Sequence, residues 1–135
     1  LGMGDEEIMR MLPGKVAARN ALIVGLRSWD TGMRQRQQEL GIKGLSPADV
    51  AEDSKAILDW LKTTGVSKVL VHFDLAEIIA GVGVEPDGMK IAEAVRVIND
   101  IATHYELVGL TVAEFMPRIA IRMKRMLDGL PLLKD

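Results

Sequence analysis

The stretch Lys68–Leu75 (Lys-Val-Leu-Val-His-Phe-Asp-Leu) constrains the fold more than any other part of this chain. It has the β-branched and aromatic content of a strand, yet its apolar residues do not alternate with polar ones. A strand of that kind expects cover on both faces, which is the situation of a parallel sheet. Glu106–Ala113 repeats the pattern, and Asn20–Leu26 (Asn-Ala-Leu-Ile-Val-Gly-Leu) is a third compact apolar run short enough to be a buried strand.

The intervals between these runs read as helices. Asp5 is placed to cap a short helix over Glu6–Leu12 that Pro13-Gly14 ends. Asp30 or Thr31 opens a helix reaching about Leu40. Ser46-Pro47-Ala48-Asp49 combines a serine cap, a first-turn proline and an acid near the positive end of the helix dipole, predicting a helix that runs to Gly65. A glycine-bearing loop through Gly81, Gly83, Pro86 and Gly88 leads to a helix over about Met89–His104 with the stripe Ile91, Val95, Ile98 and Ile101. Pro117 starts a last helix through about Leu127, closed by Gly129-Leu130-Pro131. Strand, helix, strand, helix in this order implies right-handed crossovers and one α/β domain over residues 1–135, with helices on both faces of a parallel sheet. Three such strands are few, so the expected sheet is part of a larger one.

Composition removes several classes of function. Cysteine is absent, which excludes disulfides, thiolate metal sites and cysteine nucleophiles and suits a cytoplasmic protein. A net charge of −2 gives no broad field to favour nucleic acid or anionic lipid. No apolar run approaches the roughly 20 residues that cross a bilayer. Leu1 through Glu7 lacks the basic start of a signal peptide, and the chain opens on leucine, so processing or trimming is an open expectation.

Open parallel sheets bind ligands beyond the carboxyl ends of their strands. Arg27-Ser28, Asp74 and Glu114 fall there. A carboxylate in that position can hold a hard cation or pair with a cationic substrate, or simply cap the next turn. His72, inside the clearest strand, reads as a core histidine, and His104 as a helix-end residue in favourable contact with the dipole. Gly81-Val82-Gly83 lacks the third glycine and the helix start of a dinucleotide loop. Arg118, Arg122 and Arg125 read as a solvated helix face, and Met123 and Met126 as core filling.

Several blocks together resemble the arginase and agmatinase (ureohydrolase) family, in particular its C-terminal portion. They are Ile23-Val24-Gly25-Leu26-Arg27-Ser28-Trp29-Asp30, then Glu39-Leu40-Gly41-Ile42, Val71-His72-Phe73-Asp74-Leu75, Gly83-Val84-Glu85-Pro86-Asp87-Gly88-Met89, and Val108-Gly109-Leu110-Thr111-Val112-Ala113-Glu114-Phe115-Met116-Pro117. The resemblance implies a three-layer α/β/α fold and a dinuclear Mn2+ centre at the strand ends. It also implies hydrolysis of a small guanidino compound, arginine-like or agmatine-like, to urea and an amine in a homo-oligomer. Asp74 matches the first acid of the family's Asp-x-Asp metal motif, and Glu114 the glutamate that takes the substrate's guanidinium group. Two cations about 3.5–4 Å apart acidify the water they share, which is the chemistry such a pair supplies.

The departures are specific. Ala76 stands where the second acid belongs, the following Asp-Pro is missing, and Thr111 stands where many relatives have aspartate. The upstream Asp-Ala-His-x-Asp-x-His block and an earlier histidine do not occur in these residues. Two readings follow. The chain is the C-terminal part of a manganese-dependent ureohydrolase and inactive alone, or it is a catalytically inactive arginase-like scaffold or subunit-interaction protein that lost the metal site.

Overall fold

The computed structural model describes residues 1–26, 31–75, 88–114 and 120–133. In chain order the elements are α1 (Glu6–Met11), β1 (Leu22–Val24), α2 (Thr31–Glu39), β2 (Lys43–Leu45), α3 (Lys55–Thr64), β3 (Lys68–Asp74), α4 (Ile91–His104), β4 (Glu106–Ala113) and α5 (Ala120–Leu127). Short 3-10 turns occur at Ala18–Asn20, Ala48–Val50 and Pro131–Leu133.

Local chemistry fixes several ends. The Asp5 carboxylate accepts from the backbone N–H of Glu7 (2.9 Å) and Ile8 (3.2 Å), satisfying two donors that α1 cannot pair internally. Gly65 closes α3 in the left-handed region at φ 71, a conformation that costs glycine little. At α4 the Glu93 carboxylate reaches back to the N–H of Lys90 (2.8 Å). The helix expected from Ser46 to Gly65 is divided instead. Asp49 accepts from both the N–H and the hydroxyl of Ser46 (2.7 Å each), closing a tight turn, and α3 begins only after Ser54. The Arg96 guanidinium, from α4, donates to the carbonyls of Val50 (a short contact) and Ala51 (3.0 Å), so those carbonyls are engaged outside any helix.

Among the described residues the strands pair in parallel, as expected, but in two ladders rather than one sheet of three strands. β1 pairs with β2, a strand that the polar Lys43-Gly44-Leu45 gave no reason to predict, and β3 pairs with β4. In the second ladder Lys68 lies opposite Glu106, Leu70 opposite Gly109, His72 opposite Thr111 and Asp74 opposite Ala113. A register shift between Val69 and Leu70 leaves Val108 as the extra residue.

The core lies on one face of that ladder. Phe73 and Leu75 are buried with Ile57 and Leu61 of α3, Ala94, Val97, Ile98 and Ile101 of α4, Met123 and Met126 of α5, and Leu130. Val69, Val71, Leu107, Leu110 and Val112 pack against the same cluster. The expectation of cover on both faces of β3 is not met among the described residues. Lys68, Leu70 and His72 point the other way and are exposed, with Leu70 at 65% and Val108 at 52%. Among the described residues the strand is therefore packed on the side of Val69, Val71 and Phe73.

Candidate functional site

The carboxyl ends of β3 and β4 bring together the two acids singled out in the sequence. Strand periodicity puts Lys68, Leu70, His72 and Asp74 on the open face and leaves Val69, Val71 and Phe73 for the core. Asp74 is the last residue of β3, half-buried, and its register partner Ala113 is the last residue of β4. Glu114 follows at once. The two acids therefore sit at the same rim, one on each of two hydrogen-bonded strands.

Glu114 is exposed and has φ 58, the left-handed region, and among the described residues it is the one non-glycine residue there. Holding an L-residue in that conformation costs about 1–2 kcal/mol. Such outliers are stored where the chain must turn a functional group in a set direction. An exposed carboxylate so turned presents two oxygens to a planar cation, the geometry that a guanidinium matches with two parallel N–H bonds.

The open face carries a further pair. His72 Nδ1 lies 2.7 Å from Thr111 Oγ1 across the ladder. The reading of His72 as a core histidine is corrected by this placement, because the side chain is exposed. Its position in an apolar run could not reveal which side of the strand the described helices cover. The cross-strand partner depends on a register set by the bulge at Val108, which local sequence does not report. His104 ends α4 as expected, exposed, with Nδ1 2.8 Å from the Asp100 carbonyl.

Arg27-Ser28, Ala76, Gly81-Val82-Gly83 and Arg118 lie outside the described residues. Arg125 is exposed, in keeping with a solvated helix face, and Met123 and Met126 are core residues as expected. Among the described residues no three or more of His, Cys, Asp and Glu group together as metal donors, and no helix is long and apolar enough to cross a membrane. A dinuclear centre needs several carboxylate and imidazole donors, and those on this rim do not fit one by themselves.

The chain matches the Arginase family model over residues 7–127. It is 22% identical over 127 residues to an arginase of Entamoeba histolytica, covering 88% of this chain and 43% of that protein. The crystal structure of Entamoeba histolytica arginase in complex with L-ornithine superposes with a TM-score of 0.74 at 22% identity, over 98% of this chain and 48% of that one. Arginase from Helicobacter pylori gives 0.66 at 18% identity, over 84% and 42% of the two chains. This chain thus spans less than half the length of these relatives. An α/β fold of parallel strands, an acid at each of two adjacent strand ends and a family match over nearly the whole sequence lead to one assignment: the chain belongs to the arginase family.

Proposed function

We propose that this chain is the C-terminal part of a manganese-dependent ureohydrolase that hydrolyses a small guanidino compound to urea and an amine. The observation that supports the reading is the register of β3 and β4, in which Asp74 lies opposite Ala113, the residue before Glu114, at the rim where parallel sheets bind ligands. In this reading the Glu114 carboxylate takes the guanidinium group and neutralises it, fixing the plane of the group to be hydrolysed. Asp74 supplies one carboxylate donor to the metal centre, and the remaining donors come from sequence outside residues 1–135. The same reading makes the protein a homo-oligomer of the cytoplasm.

The test is urea release by the gene product that includes the sequence flanking these residues, loaded with Mn2+ and offered arginine or agmatine. Urea should form, and Glu114→Gln should abolish most of it by removing the charge that pairs with the guanidinium. No urea from any guanidino substrate would overturn the proposal.

Ala76 favours a second reading, a scaffold or subunit-interaction protein of arginase fold without a metal centre. It predicts no bound manganese by elemental analysis of that same gene product, whereas the hydrolase reading predicts stoichiometric metal.

A further inference from the structure

We propose that the segment Ser46–Thr64 is a two-state element: a broken helix while the Arg96 guanidinium holds it, and one continuous helix when Arg96 lets go. Everything a helix start requires is already built at Ser46. Its hydroxyl accepts from the N–H of Asp49 (3.3 Å), and the Asp49 carboxylate accepts from the N–H of Ser46 (2.7 Å), the reciprocal pair of a capping box. Pro47 and Ala51, on either side of the Ala48–Val50 turn, have right-handed helical backbone (φ −54, ψ −37 and φ −64, ψ −46). Yet the helix stops after this one turn, and α3 begins only beyond Glu52, Asp53 and Ser54.

The side chains keep a helical pattern across the break. Val50, Ser54, Ile57 and Leu61 are each no more than 3% exposed, and at helical periodicity these four positions lie on one side of a single helix. Glu52, Asp53 and Lys55 between them are exposed. What interrupts the helix is therefore the capture of its backbone groups. In a continuous ladder the carbonyls of Val50 and Ala51 accept from the N–H groups of Ser54 and Lys55. Here both carbonyls take the Arg96 fork, and the Lys55 N–H turns to the Asp53 carboxylate (2.8 Å). Ser54 is held as well, its hydroxyl on Asp100 at 2.6 Å, one turn along α4 from Arg96. The latch is imperfect, because Arg96 Nε is buried with no hydrogen-bond partner among the described residues, a cost carried by the broken form. Local sequence favours one form and tertiary contact the other, which is the condition for a bistable element.

The segment lies between the two ladders in the chain. β2 ends at Leu45 and leads straight into Ser46, whereas α4 leads through Tyr105 into β4 and so to Glu114. Straightening the segment displaces β2 relative to α3, and the Gly25 N–H, which donates to the Leu45 carbonyl at 2.8 Å, reports that displacement.

The inference is independent of the ureohydrolase reading, and nuclear magnetic resonance of the 135-residue chain tests it. Arg96→Met keeps the stem of the side chain and removes its donors. In that variant the Cα shifts of Glu52, Asp53 and Ser54 should move to helical values. The amides of Ser54 and Lys55 should exchange at least about tenfold more slowly than in the parent, and that of Gly25 faster. Arg96→Lys, which keeps the charge without the two-pronged fork, should give an intermediate population. Unchanged exchange at core amides such as that of Ile98 shows that the fold is retained. Parent-like shifts at Glu52, Asp53 and Ser54 in folded Arg96→Met overturn the latch, as they do in Arg96→Lys if the methionine variant does not fold. Unfolding of both variants overturns it too, since Arg96 would then be a tie of the core and nothing more. Urea release enters none of these measurements, so the two proposals fail separately.

Discussion

Replacing Glu114 by glycine should make the protein more stable while removing the group assigned to the substrate. Glu114 is exposed, so its side chain contributes little packing, but its φ of 58 puts an L-residue in the left-handed region. Glycine recovers the roughly 1–2 kcal/mol of backbone strain, less the roughly 0.5–1 kcal/mol of extra freedom it gives the unfolded chain. The net gain is about 0.5–1 kcal/mol. Alanine keeps the strain and should fall within about 0.5 kcal/mol of the parent, as exposed substitutions generally do. With a urea m-value near 2 kcal/mol/M, the Glu114→Gly midpoint should lie about 0.3–0.5 M above that of Glu114→Ala. Urea unfolding of the 135-residue chain, followed by circular dichroism with a common m-value, makes the comparison. Under the ureohydrolase reading, both variants of the flanked gene product should lose urea release. Stability and activity would then move in opposite directions at one residue, the pattern expected where strain serves a site. If glycine and alanine unfold at the same urea concentration, or glycine unfolds first, the strain argument is refuted.

Three other perturbations probe the scaffold beneath the rim. The Ser54 hydroxyl, 3% exposed, donates to Asp100 at 2.6 Å, and Ser54→Ala should cost about 1.5–3 kcal/mol in urea unfolding by leaving that carboxylate without its donor. Leu130 is fully buried, so Leu130→Ala should cost about 2–5 kcal/mol, measured the same way, which tests whether the turn after α5 is part of the core. The hydrogen bonds from Lys55 and, next, Lys62 hold Asp59 below its ordinary carboxylate pKa. A depressed folded-state pKa gives stability that is present above the unfolded value and is lost as pH falls through the folded one. Thermal unfolding of the parent should therefore lose this contribution below about pH 4, and Asp59→Asn should flatten that acid limb.

The legible parts of the fold were those decided within a few residues. Asp5 caps α1 and Gly65 ends α3 because each acts on backbone next to it. β3 and β4 follow from their apolar, β-branched runs, and Asp74 and Glu114 were found because a strand end is where such a run gives way to an acid. The failures were decided from a distance. Ser46-Pro47 carries every local mark of a long helix start, but Arg96, more than forty residues away in sequence, holds the carbonyls of Val50 and Ala51 out of a helical ladder. β2 is a strand only because β1 lies beside it, since Lys43-Gly44-Leu45 has no pattern of its own. The His72–Thr111 pair rests on a register that one bulged residue sets.

The two faces of the β3–β4 ladder consequently divide the work of the molecule. A two-stranded ladder has little stability alone, so what holds this one is the layer of α3, α4 and α5 packed on Val69, Val71, Phe73 and Leu75. Truncation on that face opens a cavity in the core shared by those helices. The opposite face, with Leu70, His72 and Thr111 exposed, contributes little of that packing. The same helices therefore hold the strand ends at which Asp74 and Glu114 stand, so a cavity opened beneath Phe73 should disturb the rim as well as the core.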